Sequence, residues 1–149
     1  MNLHALLRNR AVDGEPIRVG VIGAGKFGTM FLAQARTTPG IHVVAVADLS
    51  GSRALRALRD AGWDEERASA RSFADALASG ATHVTEDAEA LIAAEGIEVV
   101  VEATGAPSAG VHHALRCFDH GRHVVMVNVE ADALLGPLLA RRAREAGVV

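Results

Sequence analysis

Ile17-Arg18-Val19-Gly20-Val21-Ile22-Gly23-Ala24-Gly25-Lys26-Phe27-Gly28 is the stretch that decides the fold of this 149-residue chain. Its first six residues, rich in β-branched side chains, read as a strand. The G-x-G-x-x-G that follows opens a segment of helical character, Lys26 to Thr37. In that setting each glycine has its own task. Gly23 permits the tight turn out of the strand, Gly25 lets a pyrophosphate approach the backbone, and Gly28 allows helix and sheet to pack closely. The free N–H groups and positive dipole end of the helix, with Lys26 and Phe27 in its first turn, then face the phosphates. Dinucleotide binding is the expectation, and a glycine-rich turn kept for packing alone is the competing reading.

Outward from this stretch the same rhythm repeats, with short β-branched runs alternating with longer Ala/Leu/Arg segments. The predicted strands are Ile17 to Ile22, Ile41 to Ala47, a short one at His83 to Thr85, Val99 to Ala103 and His123 to Val127. The predicted helices between and after them are Lys26 to Thr37, Ser52 to Ala61, Asp87 to Ala94, Ser108 to Phe118 and Pro137 to Ala146. Nearly continuous apolar strands separated by helices imply an α/β fold, a doubly wound, mostly parallel sheet of Rossmann type. Ser52 and Ser108 are candidate N-caps, and Pro137 suits a first helical position. Trp63 to Ala81 breaks the rhythm and reads as an insertion holding one short helix. Residues 1–16 read as an N-terminal helix and turn, and residues 17–149 as the nucleotide-binding domain. Val148-Val149 reads as the opening of a sixth strand, so the sheet is expected to stop before or in that strand, and a substrate domain is absent from this chain.

Composition narrows the possible partners. The net charge is −3, with 15 basic against 18 acidic residues spread along the chain, which gives a nucleic-acid backbone no basic face to bind. The apolar runs fall far short of the roughly 18 residues that cross a bilayer, and Met1 to Arg10 lacks the positive-then-apolar order of a signal peptide. Cys117 is the only cysteine, which excludes a disulfide scaffold and fits a reducing cytoplasm. Lysine occurs once, at Lys26, so arginine supplies nearly all the positive charge, a bias of GC-rich bacterial genomes.

Four further segments carry candidate chemistry. Asp48, at the end of the second strand and 20 residues beyond Gly28, is placed to accept from the hydroxyls of an adenosine ribose, which favours NAD. Arg53 follows closely and could pair with a 2′-phosphate, which leaves NADP open; its competing reading is a solvated stripe with Arg56 and Arg59. Thr104 and Gly105 leave the fourth strand at the carboxyl edge of the sheet, where ligands of open α/β sheets lie. Asn128, Glu130 and Asp132 leave the fifth strand at the same edge. Asn128 could hold a nicotinamide carboxamide or ribose, and Glu130 or Asp132 could act in proton transfer or bind a cation beside a substrate, against helix capping by Asp132 as the alternative. His113, Cys117 and His120 share one side of a helix, but no fourth ligand is evident and no metal is expected.

Val19 to Gly28, Ala47-Asp48, Val101 to Gly105 and, above all, His123-Val124-Val125-Met126-Val127-Asn128-Val129-Glu130-Ala131-Asp132 resemble homoserine-dehydrogenase-like NAD(P)-binding domains. Within that group they are most similar to the oxidoreductases that include the DXP-reductoisomerase-like enzymes. The resemblance covers about residues 3 to 149. It implies the cofactor domain of an NAD(P)-dependent oxidoreductase that transfers hydride to or from a small polar substrate, such as a sugar, sugar phosphate or polyol. It further implies a second domain for substrate and dimer contacts, hence a homo-oligomer of the full-length protein. A regulatory module that senses a dinucleotide without catalysis is the alternative.

Overall fold

The computed structural model describes residues 2–149. Five strands, β1 (Ile17–Ile22), β2 (Ile41–Ala47), β3 (His83–Thr85), β4 (Val99–Glu102) and β5 (His123–Met126), form one sheet in the order β3-β2-β1-β4-β5. All pairings are parallel. Among the described residues seven helices accompany them: α1 (Leu3–Val12), α2 (Lys26–Ala35), α3 (Gly51–Asp60), α4 (Phe73–Ser79), α5 (Ala88–Ala93), α6 (Pro107–Asp119) and α7 (Val129–Glu145). The chain winds one way from β1 to β3 and the other way from β4 to β5, so the order reverses between β1 and β4. That reversal opens a crevice beyond the carboxyl ends of these two strands.

Alternation along β1, β2 and β4 feeds two cores. Val19 and Val21 of β1 and Val43 and Val46 of β2 pack with Leu32, Ala54 and Leu58 of α2 and α3. On the other face Ile22, Val44, Ala45 and Val100 pack with Ala76, Leu91, Ile92 and Cys117 of α4, α5 and α6. Strict alternation would send Val44 and Ala45 to opposite faces. The register between β1 and β2 slips by one residue here, with Val19 opposite Val43 but Gly20 opposite Ala45, and the extra residue puts both on the second face. Trp63 in the insertion seals the first core by donating its indole N–H to the Leu32 carbonyl at 3.1 Å.

The short helix expected in the insertion is α4, capped by Ser72. Three expected helix ends are corrected. The cap of α3 is Ser50, whose side chain accepts from the Arg53 N–H, and Ser52 lies inside the helix. Pro107 takes the first turn of α6, so Ser108 is internal as well. The last helix begins eight residues before Pro137, at Val129, because the Asn128 side chain caps it by accepting from the Ala131 N–H. Pro137 therefore sits within α7, where its missing N–H leaves the Ala133 carbonyl without its helical partner. At the far end the Val149 carbonyl accepts from the Val124 N–H at 2.7 Å. His123 and Val127 donate toward β4, so Val124 donates on the outer edge of β5, and the expected sixth-strand residues lie along that edge.

Helix α1 buries none of its residues. It is held by Arg10, which bonds Glu98 at 3.2 Å, and it roofs a cavity of about 700 Å³ lined by Leu3, Leu6, Leu7, Val99, Val101 and Val125. No helix among the described residues is long and apolar enough to cross a membrane.

Leu32 is completely buried between α2 and the sheet. Leu32→Ala is expected to lower stability by about 2–5 kcal/mol, measured by urea unfolding; a loss below about 1 kcal/mol would contradict this packing.

Candidate functional site

The crevice between β1 and β4 holds a cavity of about 320 Å³ lined by Gly23, Gly25, Asp48, Leu49, Arg53, Glu86, Ala103, Thr104 and His113, among others. Its floor is built by close backbone contacts. Gly23 has φ +103°, a conformation side chains rarely adopt, and a Cβ there would lie 2.6 Å from the Ala103 carbonyl oxygen. A Cβ on Gly28 would overlap the Gly23 carbonyl oxygen. With no room for a methyl group at either position, the first turn of α2 lies directly on the end of β1. Gly25 differs from both. A Cβ on it meets no atom within 4 Å, because it faces the cavity.

Gly25 is also the N-cap of α2 and provides no side-chain cap. The first N–H groups of the helix therefore lack a side-chain acceptor, and with the helix dipole they form an anion site. The donor set and the open space beside Gly25 fit the pyrophosphate of a dinucleotide. Lys26 and Phe27 stand exposed in the same turn.

Asp48 lines the same cavity. Its carboxylate is turned inward, with its side chain only 2% exposed. Oδ2 accepts from the Ala24 N–H at 2.8 Å, while Oδ1 accepts from the Ser50 N–H at 3.0 Å and Arg53 Nε at 2.8 Å. A second contact comes from Arg53 Nη2, at 2.6 Å. Burial works to raise the pKa, but the Ala24 N–H, the Arg53 guanidinium and the Ser50 N–H outweigh it and hold the carboxyl below its ordinary value. Asp48 thus ties the glycine loop to the β2–α3 turn, and its accepting capacity is largely spent. Arg53 is a partner of Asp48 and not a member of a purely solvated stripe.

At the β4 side a second buried carboxylate does the tying. Glu102 is fully buried; its Oε1 accepts from the Thr104 N–H and lies 3.3 Å from His113 Nδ1. Oε2 has no partner among the described residues and faces Gly110, where a Cβ would lie 3.0 Å from it. Burial raises the Glu102 pKa, but His113, Thr104 and the neighbouring Asn128 amide more than compensate, and the net shift is downward. Asn128, only 1% exposed, donates to the Ala106 carbonyl at 2.8 Å and the Thr104 hydroxyl at 3.4 Å while capping α7. It braces the Thr104 loop instead of presenting its amide to the cavity. Glu102 lies inside the strand expected over Val99 to Ala103, and an acid ending a run of three valines was the signal for it, since such a residue is buried with its strand and must be satisfied there.

Thr104 lines the cavity, and Gly105 follows in an exposed turn with φ +70°. Glu130 and Asp132 lie in the first turn of α7, both exposed. Asp132 lines a different groove, with Phe118, Met126, Gly136 and Leu139. Cys117 and His113 point to different surroundings: burial pushes the Cys117 thiol up to about 12, and His113 is turned to Glu102.

This geometry defines a nucleotide-binding domain of Rossmann type. Over residues 17–126 the chain matches the GFO/IDH/MocA family, the oxidoreductase family with an NAD-binding Rossmann fold, and it belongs to that family. The chain is 43% identical over 54 residues to a glycosyl hydrolase family 109 protein of Saccharopolyspora erythraea, a match over 34% of this chain and 12% of that protein. The fold is shared with biliverdin reductase from Synechocystis in complex with biliverdin and NADP+, at a TM-score of 0.66, with 22% identity and coverage of 90% of this chain and 36% of that one. It is also shared with myo-inositol dehydrogenase from Lactobacillus casei in complex with NAD(H) and myo-inositol, at a TM-score of 0.64, with 23% identity and coverage of 87% and 34%. The chain therefore spans about a third of the length of these two structures. The matched family is not the homoserine-dehydrogenase-like group that the motifs resemble, and that narrower assignment is left unsupported. The physical reason is that the strand, glycine loop and helix meet a demand common to all dinucleotide folds.

Two outcomes are expected. Gly25→Leu should leave urea stability within about 1 kcal/mol, since the new side chain enters open space, yet it should abolish NADH binding by nicotinamide fluorescence; undiminished affinity would exclude the cradle. Because the Asp48 pKa is lowered on folding, its contribution is present above the ordinary carboxylate range and is lost as pH falls through its folded value. Asp48→Asn should then be less stable than the native chain at neutral pH, with the gap closing in acid unfolding curves below about pH 4. A gap independent of pH would mean that the charge is not what stabilises this turn.

Proposed function

We propose that this chain is the cofactor-binding domain of an NAD(P)-dependent dehydrogenase or reductase whose substrate is a small polar molecule of the sugar or polyol kind. The observation that carries the reading is the uncapped N-terminus of α2 opening beside Gly25 onto the crevice between β1 and β4. Gly23, Gly25 and Gly28 would shape the pyrophosphate seat, and the first N–H groups of α2 would hold its charge. Thr104 and Gly105, stiffened by Glu102 and Asn128, would flank the cofactor on the β4 side. The cofactor, when bound, supplies the hydride chemistry, and the protein supplies position and electrostatics.

The substrate class is supported by the polyol bound to the inositol dehydrogenase neighbour and by membership in an oxidoreductase family. The sugar-phosphate and homoserine chemistries of the narrower resemblance draw no such support. Glu130, exposed at the carboxyl edge after β5, is proposed for proton transfer; Asp132, turned into its own groove beside Gly136, is the weaker of the two acids for that role. A cytoplasmic homo-oligomer completes the proposal, in which residues outside this chain complete the substrate site.

The chain is expected to bind NADH with enhanced nicotinamide fluorescence, and the full-length gene product to reduce NAD+ or NADP+ in the presence of a polyol or sugar. Cofactor binding without turnover across such a panel would move the reading to a regulatory dinucleotide sensor, and failure to bind either cofactor would remove both readings.

A further inference from the structure

At the mouth of the cavity the Asp and Arg expected to read the adenosine ribose are already paired with each other. Arg53 directs Nε and Nη2 to Asp48 Oδ1, and the Ser50 and Ser52 hydroxyls bond one another at 3.0 Å. The remaining carboxylate comes from a different element. Glu86, in the turn between β3 and α5, reaches across to α3 and accepts from the Gly51 N–H at 2.7 Å. That N–H belongs to the first residue of α3, where backbone donors and helix dipole would otherwise attract an anion such as a 2′-phosphate. Asp48, Arg53 and Glu86 all line the cavity, and since the first two cancel, the net charge of the three is that of Glu86.

We infer that Glu86 is the residue that selects NAD(H) over NADP(H), an inference that rests on the cofactor reading above. Its carboxylate holds the anion position at the N-terminus of α3 and turns an acceptor-rich edge to the ribose. A ribose hydroxyl can donate to such a group, whereas a 2′-phosphate meets a like charge. Glu86 thereby takes a role for which Asp48, engaged by Ala24, Ser50 and Arg53, has little accepting capacity left. Arg53 becomes useful to a phosphate only when the excess negative charge beside it is removed.

The test is a parallel fluorescence titration of the native chain, Glu86→Gln and the double variant Glu86→Gln/Arg53→Ala with NADH and NADPH at low and high salt. Glutamine keeps the size of the side chain and an oxygen that can accept from Gly51, so the substitution isolates the charge; circular dichroism checks that each variant is folded. The native chain is expected to prefer NADH by about tenfold or more at low salt, with a smaller preference at high salt as the repulsion is screened. Glu86→Gln should bind NADPH more tightly and NADH somewhat less tightly, and so narrow the ratio by about tenfold. Arg53→Ala in that background should cancel the NADPH gain. An unchanged ratio in Glu86→Gln, or a native preference for NADPH, overturns the role of Glu86 while leaving the cofactor reading intact. Binding of neither nucleotide by the native chain overturns both.

Discussion

The contact on which the nucleotide site depends is the one between Gly28 and the Gly23 carbonyl oxygen, where a Cβ would overlap the oxygen. It brings the first turn of α2 down onto the end of β1, and only in that position do the free N–H groups of the helix face the crevice. A side chain at either glycine would lift the helix away and move the positive dipole end off the phosphate seat. The Gly23 backbone is locked from the other side as well, by the Ala103 carbonyl after β4. The crevice is therefore a product of two backbone approaches across the reversal point of the sheet.

Around this contact two buried carboxylates divide the labour. Asp48 joins the glycine loop to the β2–α3 turn through Ala24, Ser50 and Arg53. Glu102 joins the Thr104 loop to α6 through His113, and Asn128 extends that brace to α7. Each carboxylate is kept ionised by hydrogen-bond donors that outweigh its burial. The consequence is a rim built from four separate chain segments, in which Asp48, Glu102 and Asn128 hold the loops around the cavity. Burying such groups is tolerable only because nearly every acceptor is satisfied; the orphan Oε2 of Glu102 is the exception.

The elements themselves were open to sequence reading wherever the local pattern had a single physical solution. All five strands lie within a residue of their expected ends; each except the short β3 is a largely apolar run bounded by glycine, charge or a polar turn. The misplaced helix starts share another cause. Ser50 and Ser52 are both able to cap, as are Asn128 and the segment before Pro137, and the choice between them depends on which residue the rest of the fold holds just outside the helix. Asn128 is held there by its bonds to Ala106 and Thr104, some twenty residues earlier in the chain. No local window contains that information.

The sequence by itself therefore determined the parallel α/β architecture, the glycine cradle and the nucleotide ligand, because periodicity and the spacing of three glycines express steric demands that act within about a dozen residues. Tertiary structure alone decided which polar residues bond to one another around the cavity. Asp48 looks like a ribose acceptor in sequence but is consumed by Ala24 and Arg53, and Glu86, distant in sequence from the glycine loop, occupies the N-terminus of α3 beside it. Hydrogen-bond capacity is shared among whatever groups the fold brings together, so the availability of a side chain is a property of its neighbours in space.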